Sequence, residues 1–205
     1  NRIYYGEKRI VSMLFDLYCN HIYGKTPWYY KQFAQIGEGS RVWYPCVTNR
    51  NTRASMFLGK GAQILQNSRI WCYEQENLPK PKIKIGDHCY LGYHLSILAG
   101  ADVTIDDWVL MASDILITTE SHGMDPENEV YYMDQPLTVA PVHIKSGCWI
   151  GEKAVIMPGV TIGKKCIIGA GSIVTKDIPD YSIAVGNPAK VIKQYDFEKH
   201  EWVRV

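Results

Sequence analysis

A single histidine stands where a regular pattern in the sequence is interrupted. His122 lies near the start of the stretch from Glu120 to Val142, which lacks the six-residue period found on both sides of it. An imidazole titrates near neutral pH, so a positioned histidine can take a proton from a hydroxyl group and pass it to a leaving group. A long loop inside a repeat is usually functional or disordered. We therefore take His122 as the candidate general base.

The same loop offers groups that could hold a sugar. Asp125 and Glu127 can accept hydrogen bonds from sugar hydroxyl groups, and Tyr131 can cover the apolar face of a pyranose ring. Carboxylates would also attract an amine, so an amino sugar stays open as an alternative acceptor. A further interpretation, an acidic loop that contacts nothing, stays open as well.

The segments that flank this loop repeat every six residues. An aliphatic side chain recurs at Ile144, Ile150, Ile156, Ile162, Ile168 and Val174, with earlier runs from Ile85 to Val103 and from Ile105 to Ile117. A glycine often follows the aliphatic residue, and a small or β-branched residue often lies four positions after it. This period is that of short strands joined by tight turns rather than of a helix. With three strands in each coil, it predicts an all-β solenoid, a parallel β-helix shaped as a triangular prism, whose function lies outside, in loops or between copies.

The pattern divides the chain into three parts. Apolar residues at helical spacing predict a short N-terminal helix within a lead-in of residues 1–35. Residues 36–180 are predicted to form the prism, with residues 120–143 extruded as a protruding loop. Residues 181–205 are expected to form a C-terminal tail.

The cysteines fall into the same register. The small inward position of the hexad is occupied by Cys46, Cys89, Cys148 and Cys166. A buried packing role is therefore favoured over a nucleophile or a disulfide, and a reducing compartment is expected. Since no CxxC pair occurs, a zinc knuckle is not supported.

The composition argues against several classes of partner. The chain of 205 residues has 22 basic and 21 acidic residues, a net charge of +1, so neither nucleic acid nor an anionic membrane is indicated. No apolar run approaches the roughly 20 residues that span a bilayer. We expect no integral membrane segment and a cytoplasmic location.

Several motifs resemble a known family in both order and spacing. They are Val-Thr-Ile-Asp-Asp at 103–107, Ile-Thr-Thr-Glu-Ser-His at 117–122, Trp-Ile-Gly at 149–151, Pro-Gly-Val-Thr-Ile-Gly at 158–163, Gly-Ala-Gly-Ser-Ile-Val-Thr-Lys-Asp-Ile-Pro at 169–179 and Gly-Asn-Pro-Ala-Lys-Val-Ile at 186–192. The sequence resembles the hexapeptide-repeat acyltransferases, in the sugar O-acetyltransferase branch of the galactoside and maltose acetyltransferases. The resemblance implies a left-handed β-helix, acetyl-CoA as co-substrate, and a homotrimer with active sites between subunits.

The resemblance also implies roles for particular residues. His122 takes the place of the catalytic histidine, His94 that of an acceptor-binding asparagine, and Trp149 that of a tryptophan beside the active site, near both substrates. Positions that match coenzyme A contacts are Ala170, Thr175, Lys176, Lys190 and Lys193. The family often has Thr-His-Pro around the histidine, where this chain has Ser121-His122-Gly123.

These observations predict an acetyl-CoA-dependent O-acetyltransferase acting on a sugar or polysaccharide precursor by direct transfer. N-acetylation of an amino sugar or nucleotide amino sugar is the alternative. A third class is a catalytically silent scaffold or a γ-carbonic anhydrase-like metalloprotein. His88 and His94 fall on successive hexads and hence on different walls of the prism, so no metal is expected.

Overall fold

The structure, a computed structural model, describes residues 33–76 and 78–205. The chain winds through three β-sheets in turn, and strands of one sheet pair in parallel from coil to coil. We call these sheets walls 1, 2 and 3, and the turns between them the first corner (wall 1 to wall 2), the second (wall 2 to wall 3) and the third (wall 3 to wall 1). The short N-terminal helix predicted within residues 1–35 rests on apolar residues that lie outside the described part of the chain.

Walls 1 and 3 each contain six strands. Wall 1 is built from β1 (Gln35–Ile36), β4 (Met56–Leu58), β7 (Ile83–Ile85), β10 (Val103–Ile105), β15 (Val142–Ile144) and β18 (Thr161–Ile162). Wall 3 is built from β3 (Cys46–Thr48), β6 (Ser68–Cys72), β9 (Ser96–Ala99), β12 (Leu116–Thr118), β17 (Val155–Ile156) and β20 (Ile173–Val174). The short helix α1 (Arg50–Ser55) lies between walls 3 and 1 in an early coil.

Wall 2 contains nine strands, of which the last two continue it in antiparallel fashion. Its strands are β2 (Arg41–Val42), β5 (Gln63–Ile64), β8 (Tyr90–Leu91), β11 (Leu110–Met111), β16 (Trp149–Ile150), β19 (Ile167–Ile168), β21 (Ser182–Gly186), β22 (Ala189–Asp196) and β23 (Glu201–Arg204). Residues 181–205, expected as a tail, thus add three strands to this wall. Their pairing extends the sheet past the last complete coil.

The hexad aliphatics form the core of the prism. In wall 1, Ile105 pairs in register with Ile85 and Ile144, and Ile144 pairs with Ile162. None of these four side chains is more than 3% exposed. Fully burying one such side chain stabilises the fold by about 1.5–3 kcal/mol. The six-residue period arises because one wall strand and the turn that follows it together take up six residues, so the same inward position recurs from wall to wall.

The cysteines predicted to point inward behave as packing residues. Cys89, Cys148 and Cys166 are buried free thiols, and Cys46 is half-buried. Burial raises the pKa of Cys89 to about 11. Because the thiolate is the reactive form, this thiol is a poor nucleophile at neutral pH.

A narrow neck separates the protruding loop from the prism. The strands β13 (Glu120–Ser121) and β14 (Thr138–Val139) pair in antiparallel fashion at the third corner, and we call these four residues the neck. Beyond it, Val142 donates its backbone N–H to the carbonyl of Asp102, so the next coil stacks as if the loop were absent. The loop therefore projects from the prism without breaking the stack of coils.

Candidate active site

His122 lies directly after the neck, at the third corner. Its side chain is exposed, and its ring has no hydrogen-bond partner among the described residues. The neck fixes its backbone, since Glu120 and Ser121 pair with Val139 and Thr138. The histidine is thus held in place by its main chain, whereas nothing in the described ranges orients the imidazole.

One buried glutamine organises the loop that follows His122. The side chain of Gln135 is 5% exposed, donates to the carbonyls of Asp125 (2.8 Å) and Val130 (3.2 Å), and accepts from the N–H of Asp125 (3.1 Å). A Cβ atom at Gly123 would lie 2.7 Å from Cβ and Oε1 of Gln135. Gly123 is therefore required beside His122, because any side chain there would push this glutamine away. Sequence reasoning missed Gln135, since its role depends on backbone atoms elsewhere in the loop.

The loop presents large apolar side chains to solvent. Met124, Tyr131 and Met133 are 74%, 81% and 75% exposed. Of the two predicted acceptor-binding carboxylates, Asp125 accepts a hydrogen bond from the N–H of Glu127 (2.9 Å) and so closes a local turn. Glu127 is exposed. An exposed apolar surface of this kind indicates a contact with another molecule.

His94 lies at the second corner in a hydrogen-bonded chain. Its Nδ1 atom is 2.9 Å from Oδ1 of Asp114, and its Nε2 atom is 3.3 Å from Nδ2 of Asn67. The three residues occupy the same turn position of successive coils, each with a positive φ between 58° and 61°. In the neutral imidazole, Nδ1–H donates to the carboxylate and Nε2 accepts from the amide. These two hydrogen bonds thus fix both the orientation and the tautomer of the His94 ring.

Trp149 stands on the outer face of wall 2, in a row that runs the length of the prism. Residues that pair in register lie on the same face of a sheet. We call this set the outer row of wall 2, and in order it contains Arg41, Gln63, Tyr90, Leu110, Trp149, Ile167, Ile183, Lys193 and Arg204. Its centre is apolar, with Leu110 and Trp149 about half exposed. Its C-terminal end is cationic.

An irregularity in β22 places both predicted lysines of that strand on the same face. Lys193 pairs with Ile183 and Lys190 pairs with Val185, and the register shifts between them. In a regular strand, residues three apart point to opposite faces. Ile192 is the extra residue of this bulge, so Lys190 joins Lys193 on the outer face. The sequence alone does not reveal this coincidence.

The other predicted coenzyme contacts lie elsewhere on the prism. Ala170 is at the second corner, between β19 and β20, and Thr175 and Lys176 follow β20 at the third corner. All three are exposed. One copy of the chain therefore distributes the predicted site residues over wall 2 and two different corners. It does not bring them together.

A cavity of about 510 Å³ runs beside the outer row at the first corner. Its lining includes Trp108, Gly147, Lys165 and Tyr181, none of which was predicted as a site residue. Trp108 stacks on His88 with ring centroids 4.3 Å apart. Trp108 and His88 occupy the same turn position in successive coils, at the first corner, which precedes wall 2 along the chain.

The described residues contain neither a candidate metal site nor a candidate membrane-spanning helix. Within residues 33–76 and 78–205, no three His, Cys, Asp or Glu side chains are grouped closely enough to hold a metal ion. In that same part of the chain, no helix has the length and apolar character needed to cross a bilayer.

Comparison with known proteins identifies the repeat. Residues 141–176 match the family described as bacterial transferase hexapeptide (six repeats). A putative acetyltransferase of Staphylococcus aureus (strain COL) is 32% identical over 178 residues, which are 82% of this chain and 87% of that protein. Galactoside O-acetyltransferase of Escherichia coli (strain K12) is 39% identical over 127 residues, 60% of this chain. The chain spans only 56–59% of the length of this and other curated relatives that it matches.

A solved structure shares both fold and sequence features. It is a hexapeptide-repeat-containing acetyltransferase from Vibrio cholerae complexed with acetyl-CoA, with a TM-score of 0.57 and 26% identity, covering 81% of this chain and 73% of that one. The comparisons confirm the predicted left-handed parallel β-helix. The present sequence matches most of the Staphylococcus aureus protein, and its coils keep the hexad in register. This protein therefore belongs to the hexapeptide-repeat acyltransferase family.

Proposed function

We propose that the protein transfers the acetyl group of acetyl-CoA to a hydroxyl group of a sugar or polysaccharide precursor, with His122 as general base. The observation that carries the proposal is the outer row of wall 2. Its apolar centre at Trp149, Ile167 and Ile183 suits the pantetheine arm of coenzyme A, and its cationic end suits the phosphates. The acetyl-CoA complex of the Vibrio cholerae relative supports this choice of co-substrate.

The chemistry requires one proton to be transferred twice, to His122 and then from it, and no covalent enzyme intermediate. His122 takes the proton of the acceptor hydroxyl as its oxygen attacks the thioester carbonyl carbon. The carbon–sulfur bond then breaks, and the imidazolium returns the proton to the leaving thiolate. Direct transfer is favoured over an acyl-enzyme because the thiols of Cys89, Cys148 and Cys166 are all buried inside the prism, out of reach of a substrate.

The site is proposed to form between copies of the chain in a homotrimer. His122 at the third corner and Trp149 on wall 2 occupy different faces of one prism, and a neighbouring prism would bring such faces together. In such a trimer, the exposed side chains of Tyr131 and Met133 in the loop would be covered by the neighbouring subunit. Sedimentation at micromolar concentration is expected to give a trimer, and a fully active monomer would contradict a shared site.

Acetyl transfer to a panel of sugars tests the reaction itself. Release of coenzyme A is measured with each sugar and with its amino analogue at matched concentration. We expect transfer to the hydroxyl sugar, as the name of the Escherichia coli galactoside relative suggests. Acetylation of the amine alone would replace this proposal with N-acetylation, since the carboxylates of Asp125 and Glu127 also suit a cation. Transfer to neither class would refute both.

A further inference from the structure

Three cations share one face at the C-terminal end of wall 2. Lys190 and Lys193 lie there because of the bulge in β22, and Arg204 lies beside Lys193 because the two pair in register. The other residues of β21–β23 on this face are Ile183, Val185, Tyr195 and Trp202, none of them acidic. Asp196 is engaged elsewhere, accepting from the N–H groups of Glu198 and Lys199. This face of the hairpin is therefore a positively charged surface without internal neutralisation.

The position of Arg204 is fixed by the hairpin rather than by its own side chain. Tyr195 and Trp202, which pair across β22 and β23, meet edge to face with ring centroids 5.3 Å apart. The N–H of Val205 donates to the carbonyl of Ile192 at 3.3 Å. Both contacts hold β23 in register. They therefore fix the backbone of Arg204 at the end of the outer row, from which its guanidinium group extends. The side chain is exposed.

The order of groups along the outer row matches the order of groups along coenzyme A. From Trp149, three strand spacings lead to Lys193 and a fourth leads to Arg204. Strands are about 4.8 Å apart, so Arg204 lies about 19 Å from the tryptophan along the row. If the thioester lies near Trp149, the apolar arm crosses Ile167 and Ile183, and the diphosphate reaches Lys193. The anionic group farthest from the thioester is the 3′-phosphate of the ribose.

We propose that Arg204 binds the 3′-phosphate of coenzyme A and so distinguishes it from 3′-dephospho-coenzyme A. The inference rests on the proposed function and extends it to a residue outside the predicted site. A guanidinium group presents a planar fork of donors that pairs with phosphate in bidentate fashion, which an ammonium group does not. An arginine at the far end, after two lysines, suits a terminal phosphate monoester.

Binding of the two coenzymes tests the proposal without an acceptor. The affinities of CoA and 3′-dephospho-CoA are measured by calorimetry for the wild-type protein and for Arg204→Gln. Because the site is exposed, we expect the substitution to weaken CoA binding by about five-fold. Binding of 3′-dephospho-CoA is expected to stay unchanged. Since Arg204 is exposed on an edge strand, the variant is expected to fold, which circular dichroism checks.

Two control variants separate a local contact from a general charge effect. Arg41→Gln removes a positive charge from the opposite end of the same outer row, and Lys199→Gln removes one from the same hairpin. Both are expected to bind CoA as the wild type does. If Arg204→Gln weakened the binding of both coenzymes equally, or of neither, this inference would be overturned and the proposed function would stand. A wild-type protein that binds neither coenzyme would overturn the proposed function as well.

Discussion

The second and third corners of the prism hold histidines in opposite circumstances. At the second corner, His94 has both ring nitrogens engaged, one with Asp114 and one with Asn67, within a single copy of the chain. At the third corner, His122 follows a fixed backbone but has an exposed ring with no partner in the described residues. A ring that is already oriented suits recognition. A ring that still lacks a partner suits a site completed by a second subunit or by substrate.

The largest expected effect distinguishes the two histidines by rate. His122→Ala is expected to lower kcat by about 10²- to 10⁴-fold, because a general base contributes that much to proton transfer. Affinity for coenzyme A should change little. Steady-state kinetics with a saturating acceptor measure the first quantity, and calorimetry measures the second.

A matched control and a threshold accompany this variant. His200→Ala removes another exposed histidine, in the connection between β22 and β23, and is expected to keep wild-type kcat. If folded His122→Ala kept more than about a tenth of wild-type kcat, His122 would not be the base. The contrast between the corners would then need a different explanation.

A smaller effect is expected at the second corner. His94→Ala is expected to raise the KM for the acceptor by about ten-fold and to leave kcat within about three-fold, because a lost hydrogen bond that serves binding alone changes KM. Asp114→Asn keeps the shape of the partner but removes its charge, so a smaller rise of about three-fold is expected. Kinetics at fixed acetyl-CoA and varied acceptor measure both.

Lys153 provides the control for that corner. It occupies the same turn position of a later coil, with φ 58°, and is exposed. Lys153→Ala is expected to leave acceptor KM unchanged. Should His94→Ala lower kcat as strongly as His122→Ala, the two histidines would share the chemistry, and the proposed division between recognition and catalysis would be wrong.

The walls of the prism were predictable because burial dictates them. Every coil needs inward aliphatic side chains, so positions such as Ile144, Ile150 and Ile156 repeat at a spacing that the sequence shows directly. The packing role of Cys89 and Cys148 followed from the same register. The backbone of the prism depends on residues close together in the sequence and on one pattern, the inward aliphatic residue that recurs every six positions.

Other features could not be read in the same way. Strict alternation places Lys190 and Lys193 on opposite faces of a strand, and the bulge at Ile192 is visible only in the pairing of β21 with β22. The hydrogen bonds of Gln135 run to backbone atoms of the loop, which has no period. By contrast, the contact between His94 and Asp114 could have been predicted. The two residues are 20 positions apart, and the hexad register with its two inserted residues aligns them.

The neck at the third corner bears on how chains of this kind diverge. Two residue pairs, Glu120 with Val139 and Ser121 with Thr138, close the protruding loop at its base. Residues 122–137 can therefore lengthen, shorten or be exchanged with those of a relative while every coil keeps its neighbours. If the loop contacts the acceptor as proposed, a loop grafted at this junction would change those contacts and leave the outer row of wall 2 unaltered. Under that proposal, acceptor preference would vary independently of the prism that carries the loop.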